Sequence, residues 1–221
     1  MATPTTLQSG LRLSDAKLLL ENPYLPMEAG VAVTEDGHHH IAASTYMKAS
    51  TGAMIDWWFG WIHNTEQYKL WHPRDHVFSD WEDPATTAAP ISVVTILFTN
   101  TLGRTLPNSR FHFATRTDFQ TAGYSTAICG KVGNWNDTTG EVVYGGHLIH
   151  LIKVEPDGIR MRSRFWLGDI PGLSAEERKA ALPREFPFAL MQHAAEEMAI
   201  LSTILPDMYE QHAPKSGSNK L

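Results

Sequence analysis

The chain has one cysteine, Cys129, among 221 residues. An internal disulfide is therefore excluded, which fits a reducing cytoplasm. Positive charge is also short: 18 Lys and Arg against 24 Asp and Glu give a net charge of −6. That balance argues against nucleic acid or an anionic membrane as partner. No apolar run is long enough to cross a bilayer, and Met1-Ala2-Thr3-Pro4-Thr5-Thr6 lacks the basic and apolar regions of a secretion signal. There is no internal repeat and no low-complexity linker. A P-loop, a Gly-x-Gly-x-x-Gly turn and a Gly-x-Ser-x-Gly elbow are all missing. What the chain has in excess is 11 histidines and 7 tryptophans. Imidazoles do chemistry and indoles line cavities or fill cores, so the composition leans towards an enzyme with an aromatic pocket.

Early helical material precedes a run of antiparallel strands and one long C-terminal helix. Residues 1–45 form an irregular arm, marked by Pro23 and Pro26. Residues 46–212 form the catalytic domain, and 213–221 a disordered tail. Glu35-Asp36-Gly37 is a turn signal. It leads into His38-His39-His40, which cannot all face one point on a strand. Met54, Ile55, Trp57, Trp58, Phe59, Trp61 and Ile62 suit one buried helix from Thr51 to Gln67. Strands are expected at Ile91–Phe98, Ser109–Ala114, Ser125–Cys129, Glu141–Tyr144 with His147–Val154, and Ile159–Leu167. Gly133–Gly140 reads as a loop, and Pro156-Asp157-Gly158 makes the last hairpin. Ser174-Ala175-Glu176-Glu177 has capping-box form. From Pro187 to Leu205 an apolar stripe of Leu190, Ala194, Met198, Leu201 and Leu205 predicts a helix, closed by Pro206. A curved sheet wrapped around such a helix is α+β architecture with a cavity between the two.

Chemistry-bearing residues concentrate in two separated motifs. His193 and Glu197, four apart on the long helix, share a face; an imidazole and a carboxylate suit zinc or iron. The same pair also suits a core histidine hydrogen-bonded to Glu197. Tyr68-Lys69-Leu70-Trp71-His72-Pro73-Arg74-Asp75-His76 offers two more imidazoles, and Asp75 could orient one of them. Alternatively this segment is a structural turn. His147 and His150, an odd number apart on one strand, point to opposite faces, so one at most reaches the cavity as an acid or base. Arg162 and Arg164 share a face, either positioning an oxyanion or facing solvent. Cys129 reads as buried filler.

Taken together, Tyr68 to His76, Arg162-Ser163-Arg164-Phe165-Trp166-Leu167-Gly168, and His193-x-x-x-Glu197 resemble the 2,4-diacetylphloroglucinol and phloretin hydrolases, over about Thr51 to Leu205. The resemblance implies a helix-grip fold related to the Bet v 1 and START proteins. It also implies zinc-dependent hydrolysis of a carbon–carbon bond between an acyl carbonyl and an electron-rich ring, and a homodimer. Residue by residue, His76, His193 and Glu197 match metal ligands, and Tyr68 a substrate contact. His147 lies near the family's catalytic histidine, with His150 as the fallback. Trp57 and Trp61 would wall an aromatic substrate, with Arg164 as a further contact. The family's remaining glutamate ligand has no counterpart in Phe98-Thr99-Asn100-Thr101-Leu102-Gly103, where Asn100 stands nearest. Two other readings remain open: a non-hydrolytic cyclase, isomerase or lyase on a polyketide-like ketone, and a metal-free binder of hydrophobic small molecules.

Overall fold

The computed structural model describes residues 9–21, 24–62, 64–74, 94–100, 122–136 and 141–214. The expected strand at Ser109–Ala114 and the residues Asp75 and His76 lie outside them. Among the described residues, six antiparallel strands make one sheet: β1 (Gly30–Val33), β2 (His39–Lys48), β3 (Val94–Asn100), β4 (Tyr124–Asn136), β5 (Glu141–Glu155) and β6 (Gly158–Leu167), in the order β1-β2-β6-β5-β4-β3. Strand β2 runs through residue 45 and pairs with β6 along its whole length. The β5–β6 hairpin turns at Pro156-Asp157, as its turn chemistry dictates. Two expectations are corrected in β4 and β5. Gly133–Asn136, read as a loop, continues β4, and Glu141–Glu155 is one strand, its register against β4 shifting between Val132 and Gly133. A bulge of this kind hides a continuous strand from a pattern of strict alternation.

The described residues also form a 3-10 turn at Leu13–Asp15 and helices α1 (Leu18–Glu21), α2 (Gly52–Trp61), α3 (Thr65–Trp71), α4 (Ala175–Ala180) and α5 (Phe186–His212). The single helix expected from Thr51 to Gln67 is two. Thr51 caps α2 by accepting from Met54 N, and Asn64 caps α3 by accepting from Gln67 N at 2.9 Å. A side-chain cap restarts a helix wherever it satisfies the orphan amides of a first turn. The Ser174/Glu177 capping box forms in full and opens α4.

Helix α5 does not close at Pro206 but carries on to His212. An interior proline costs roughly 3 kcal/mol. Against this, Tyr209 meets Trp57 edge-on at 5.4 Å and His212 stacks on Trp61 at 5.4 Å. Leu201 and Leu205 are fully buried, each contributing about 1.5–3 kcal/mol. Packing on α2 outweighs the proline.

The two faces of the sheet bury different things. One carries Ile41, Ala43 and Met47 of β2, Met161 and Phe165 of β6, Leu148 and Ile152 of β5, and Ile128 of β4, against α2, α3 and α5. The reverse face carries Ala127, Cys129, Ile149, Leu151 and Trp166 and is covered by the N-terminal segment through Ala16, Leu19 and Leu20. Among the described residues no helix is long and apolar enough to cross a membrane.

Candidate functional site

The site grows from the end of α3. Pro73 disfavours helical angles for the residue before it, and His72 accordingly leaves the helix at φ −144° and ψ 84°. That turn docks on α5. Trp71 is buried and its indole N–H donates to the Glu197 main-chain carbonyl at 3.0 Å. The His72 ring lies 4.8 Å from that of His193, and its Nε2 is 3.7 Å from Glu196 Oε2. Arg74 Nη2 donates to the same Glu196 oxygen at 2.8 Å, while Gln192 donates to the other at 2.8 Å. His72 therefore lies beside His193 and Glu196.

His193 Nε2 stands 3.5 Å from Glu197 Oε2, so the helical pair forms as its spacing demands. Glu197 is buried, and burial pushes its carboxyl up to about 7, although the charges of His193 and His72 pull the other way. Tyr68 is on α3, its ring edge-on to Trp71 at 6.3 Å. Burial first, and then the charge of Glu197, raise its phenol well above the ordinary value. Its hydroxyl keeps its proton and remains a donor.

The structure separates the two histidines of β5. His150 is on the face that meets α5, fully buried, with Nδ1 2.8 Å from Ser163 Oγ. Its ring lies parallel to Phe59 at 6.0 Å and edge-on to Phe165 at 6.0 Å. Phe59 in turn meets Trp71 at 5.2 Å, which carries the aromatic wall across to Glu197. Burial pushes the His150 imidazole down to about 3, so it is neutral. His147, the first choice for a catalytic histidine, faces the other way, with Nε2 2.8 Å from Asp169 Oδ2. The odd spacing requires such a split, and the core pattern decides which residue faces in.

Three other expected contacts lie elsewhere. Arg164 is on the reverse face with Arg162, both fully buried on Glu28: Arg162 Nε and Nη2 reach its two oxygens at 2.8 and 2.7 Å, and Arg164 Nη2 lies 2.9 Å from Oε2. Burial works to raise the Glu28 carboxyl, but the hydrogen bonds and charges of the two guanidinium groups win and hold it below the usual range. Trp57 and Trp61 stack on each other at 5.3 Å and turn to Tyr209 and His212. Position 209 is twelve residues beyond Glu197, about 18 Å along a helix. The rings that do line the site are Phe59, Trp71 and Phe165. The helical period on α2 could have found Phe59, which is one turn beyond Ile55 on the same buried face. The histidines of the 38–40 run are buried separately, His39 on Lys179 O at 3.0 Å and His40 on Leu11 N at 3.1 Å.

Asn100 ends β3. The backbone register pairs it with Ile128, Ile128 with His150, His150 with Ser163, and Ser163 with Ala43. Position 100 thus falls in the same cross-sheet row as His150. Among the described residues, no group of three or more His, Cys, Asp or Glu side chains is placed to hold a metal ion.

The fold and site define a class: an α+β protein whose sheet and long C-terminal helix enclose a buried imidazole, a buried carboxylate and an aromatic wall. The DAPG hydrolase PhiG domain model matches residues 11–210, and the chain belongs to that family. It is 29% identical over 199 residues to phloretin hydrolase of Eubacterium ramulus, covering 82% of this chain and 71% of the relative. It is 25% identical over 230 residues to 2,4-diacetylphloroglucinol hydrolase of Pseudomonas protegens, covering 90% and 73%, and 25% identical to the enzyme of that name from a Pseudomonas species, covering 90% and 76%.

Proposed function

We propose that this chain is a metal-dependent hydrolase that cleaves the carbon–carbon bond between an acyl group and an enolisable, phloroglucinol-type ring. The observation that carries the reading is the Glu197–His193 pair, 3.5 Å apart, beneath an aromatic wall in a chain whose relatives are named for hydrolysing phloretin and 2,4-diacetylphloroglucinol. A helix-grip arrangement, α5 across the concave face of the sheet, is part of the same proposal, as is a homodimer.

Among the described residues, part of a donor set of the kind zinc takes is present. A buried carboxylate and an imidazole one helical turn apart, with the His72 ring alongside, offer the mixed N and O set that zinc takes. His193 and Glu197 would hold the ion together with His76, and position 100 would supply at most the neutral carbonyl of Asn100. A zinc ion so bound supplies Lewis-acid polarisation and an acidified water.

The remaining chemistry belongs to the side chains. The ring enol must first become a ketone, so that the departing carbon can leave as a stabilised enolate. His150 occupies the histidine role that the sequence placed first at His147, because it is the imidazole facing α5. Tyr68 donates to a phenolic or carbonyl oxygen. Phe59 and Trp71 give a flat ring something to stack on and exclude water.

Metal analysis of the purified protein, together with assays on acylphloroglucinols with products identified by mass, tests the reading. Bound zinc that His193→Ala loses, and heavy-oxygen label from solvent water in the released acid, are expected. A zinc-free protein whose behaviour is unchanged by chelation would sink it. The absence of a carboxylate at position 100 favours one second reading, a lyase or cyclase on a polyketide-like ketone. Turnover without label from water would select it.

A further inference from the structure

His150 and Ser163 are cross-strand partners on β5 and β6. Both are buried, at 1% exposure each, and Ser163 Oγ lies 2.8 Å from His150 Nδ1. A neutral imidazole has one nitrogen that donates and one that accepts. Which is which decides whether His150 can act as a base or as a donor towards a substrate. If Nδ1 carried the proton, the serine would accept it, and the serine's own O–H would need a second acceptor. His150 is the hydrogen-bond partner that Ser163 Oγ has in the structure, and a buried hydroxyl proton with nowhere to go costs about 1–3 kcal/mol. If instead the serine donates to Nδ1, both groups are satisfied and the ring proton sits on Nε2. The ring cannot turn over to escape this choice, since Phe59 covers its face and Phe165 its edge.

We propose that Ser163 is a positioning residue that holds His150 in the Nε2–H tautomer, making it a neutral hydrogen-bond donor to a substrate oxygen and not the base of the reaction. The role rests on the proposed function for its substrate and not for its tautomer. A neutral imidazole aimed at a carbonyl polarises it without a change of protonation state, a known strategy for stabilising an enolate. No proton leaves His150 in this step: the Nε2–H bond persists, and the developing negative charge on the substrate oxygen strengthens the hydrogen bond. The burial that keeps the ring uncharged is what such a donor needs.

Nitrogen-15 NMR of the full-length protein, with His150 assigned by its loss in His150→Gln, reads the tautomer directly and needs neither metal nor turnover. A proton on Nε2 and none on Nδ1 is expected at neutral pH. Ser163→Ala should move the signals towards a mixture, and Ser163→Thr, which keeps the hydroxyl, should restore them. On acylphloroglucinols, Ser163→Ala should lower kcat by about 10-fold, the worth of one ordinary hydrogen bond, with KM little changed. Glutamine presents an N–H donor where Nε2 was, so His150→Gln should keep at least about 10 times the turnover of His150→Ala. A proton on Nδ1 in the wild-type protein would overturn the proposal even if Ser163→Ala failed to fold. So would a His150→Gln variant as inactive as His150→Ala. If no acylphloroglucinol is turned over at all, the function reading fails while the tautomer assignment is still decided by NMR.

Discussion

Removing Glu28 should be among the most damaging single changes outside the site. Two guanidinium groups, Arg162 and Arg164, have no solvent exposure, and this one carboxylate faces both at 2.7–2.9 Å. Other partners are neutral: the Leu19 carbonyl at 3.0 Å and the Tyr124 hydroxyl for Arg162, and the Ser163 carbonyl at 2.9 Å for Arg164. Glu28→Gln keeps size and one acceptor but leaves two buried cations without a counter-charge, a loss of about 3–5 kcal/mol. That is a large part of a typical domain stability of roughly 5–15 kcal/mol. For a chain of this length it corresponds to a fall in Tm of about 10 °C. Urea denaturation at pH 7 gives the number, with Glu155→Gln as control. Glu155 binds Arg160 at 2.7 Å in a partly exposed pair, worth under about 1 kcal/mol. Replacing Glu28, Arg162 and Arg164 together by apolar residues should recover most of the loss. A Glu28→Gln protein within about 1 kcal/mol of wild type would refute the argument that this cluster is structural. A selective rise in KM with unchanged stability would return Arg164 to the substrate.

Acid should destabilise the fold through two imidazoles. Burial, aided by Arg164 at His40, holds His40 and His150 down to about 3, against 6.5 when unfolded. The unfolded chain then binds more protons, so their contribution is complete above pH 6.5 and is lost as pH falls from 6.5 towards 3. The slope is about 1.4 kcal/mol per pH unit for each histidine. His40→Phe, which keeps the stack on Trp166, should give a stability curve shallower by that amount, and parallel curves would contradict it. Gly37→Ala should cost more than about 1 kcal/mol. Gly37 has φ 85° and a methyl there runs into the Ala175 carbonyl. Hydrogen exchange in Ala175–Ala180 should accelerate, and unchanged exchange would mean that α4 does not lean on this turn.

What could be read from the sequence was what is local. The hairpin at Pro156-Asp157, the Ser174 capping box and the stripe on α5 follow from neighbouring residues. The His193–Glu197 pair follows from helical period alone. Alternation told that His147 and His150 must part and that Arg162 and Arg164 must agree, but not which face was which. That depends on where Phe59, Phe165 and the N-terminal segment come to rest, and these are long-range contacts. Pro206 misled because the helix beyond it is held by Trp57 and Trp61, more than a hundred residues away in sequence. His76 and its neighbour Asp75 lie outside the described residues.

Strand β6 has a consequence for how this family tolerates change. Its even positions, Arg160, Arg162, Arg164 and Trp166, look towards the N-terminal segment; its odd positions, Met161, Ser163 and Phe165, look towards α5. A saturation scan along these seven residues should therefore lower the melting temperature on both faces, because both are buried, while turnover should change independently of stability only on the side of Ser163 and Phe165. Directed evolution of substrate range could vary that side, within the volume its core contacts allow, while leaving the arginines untouched.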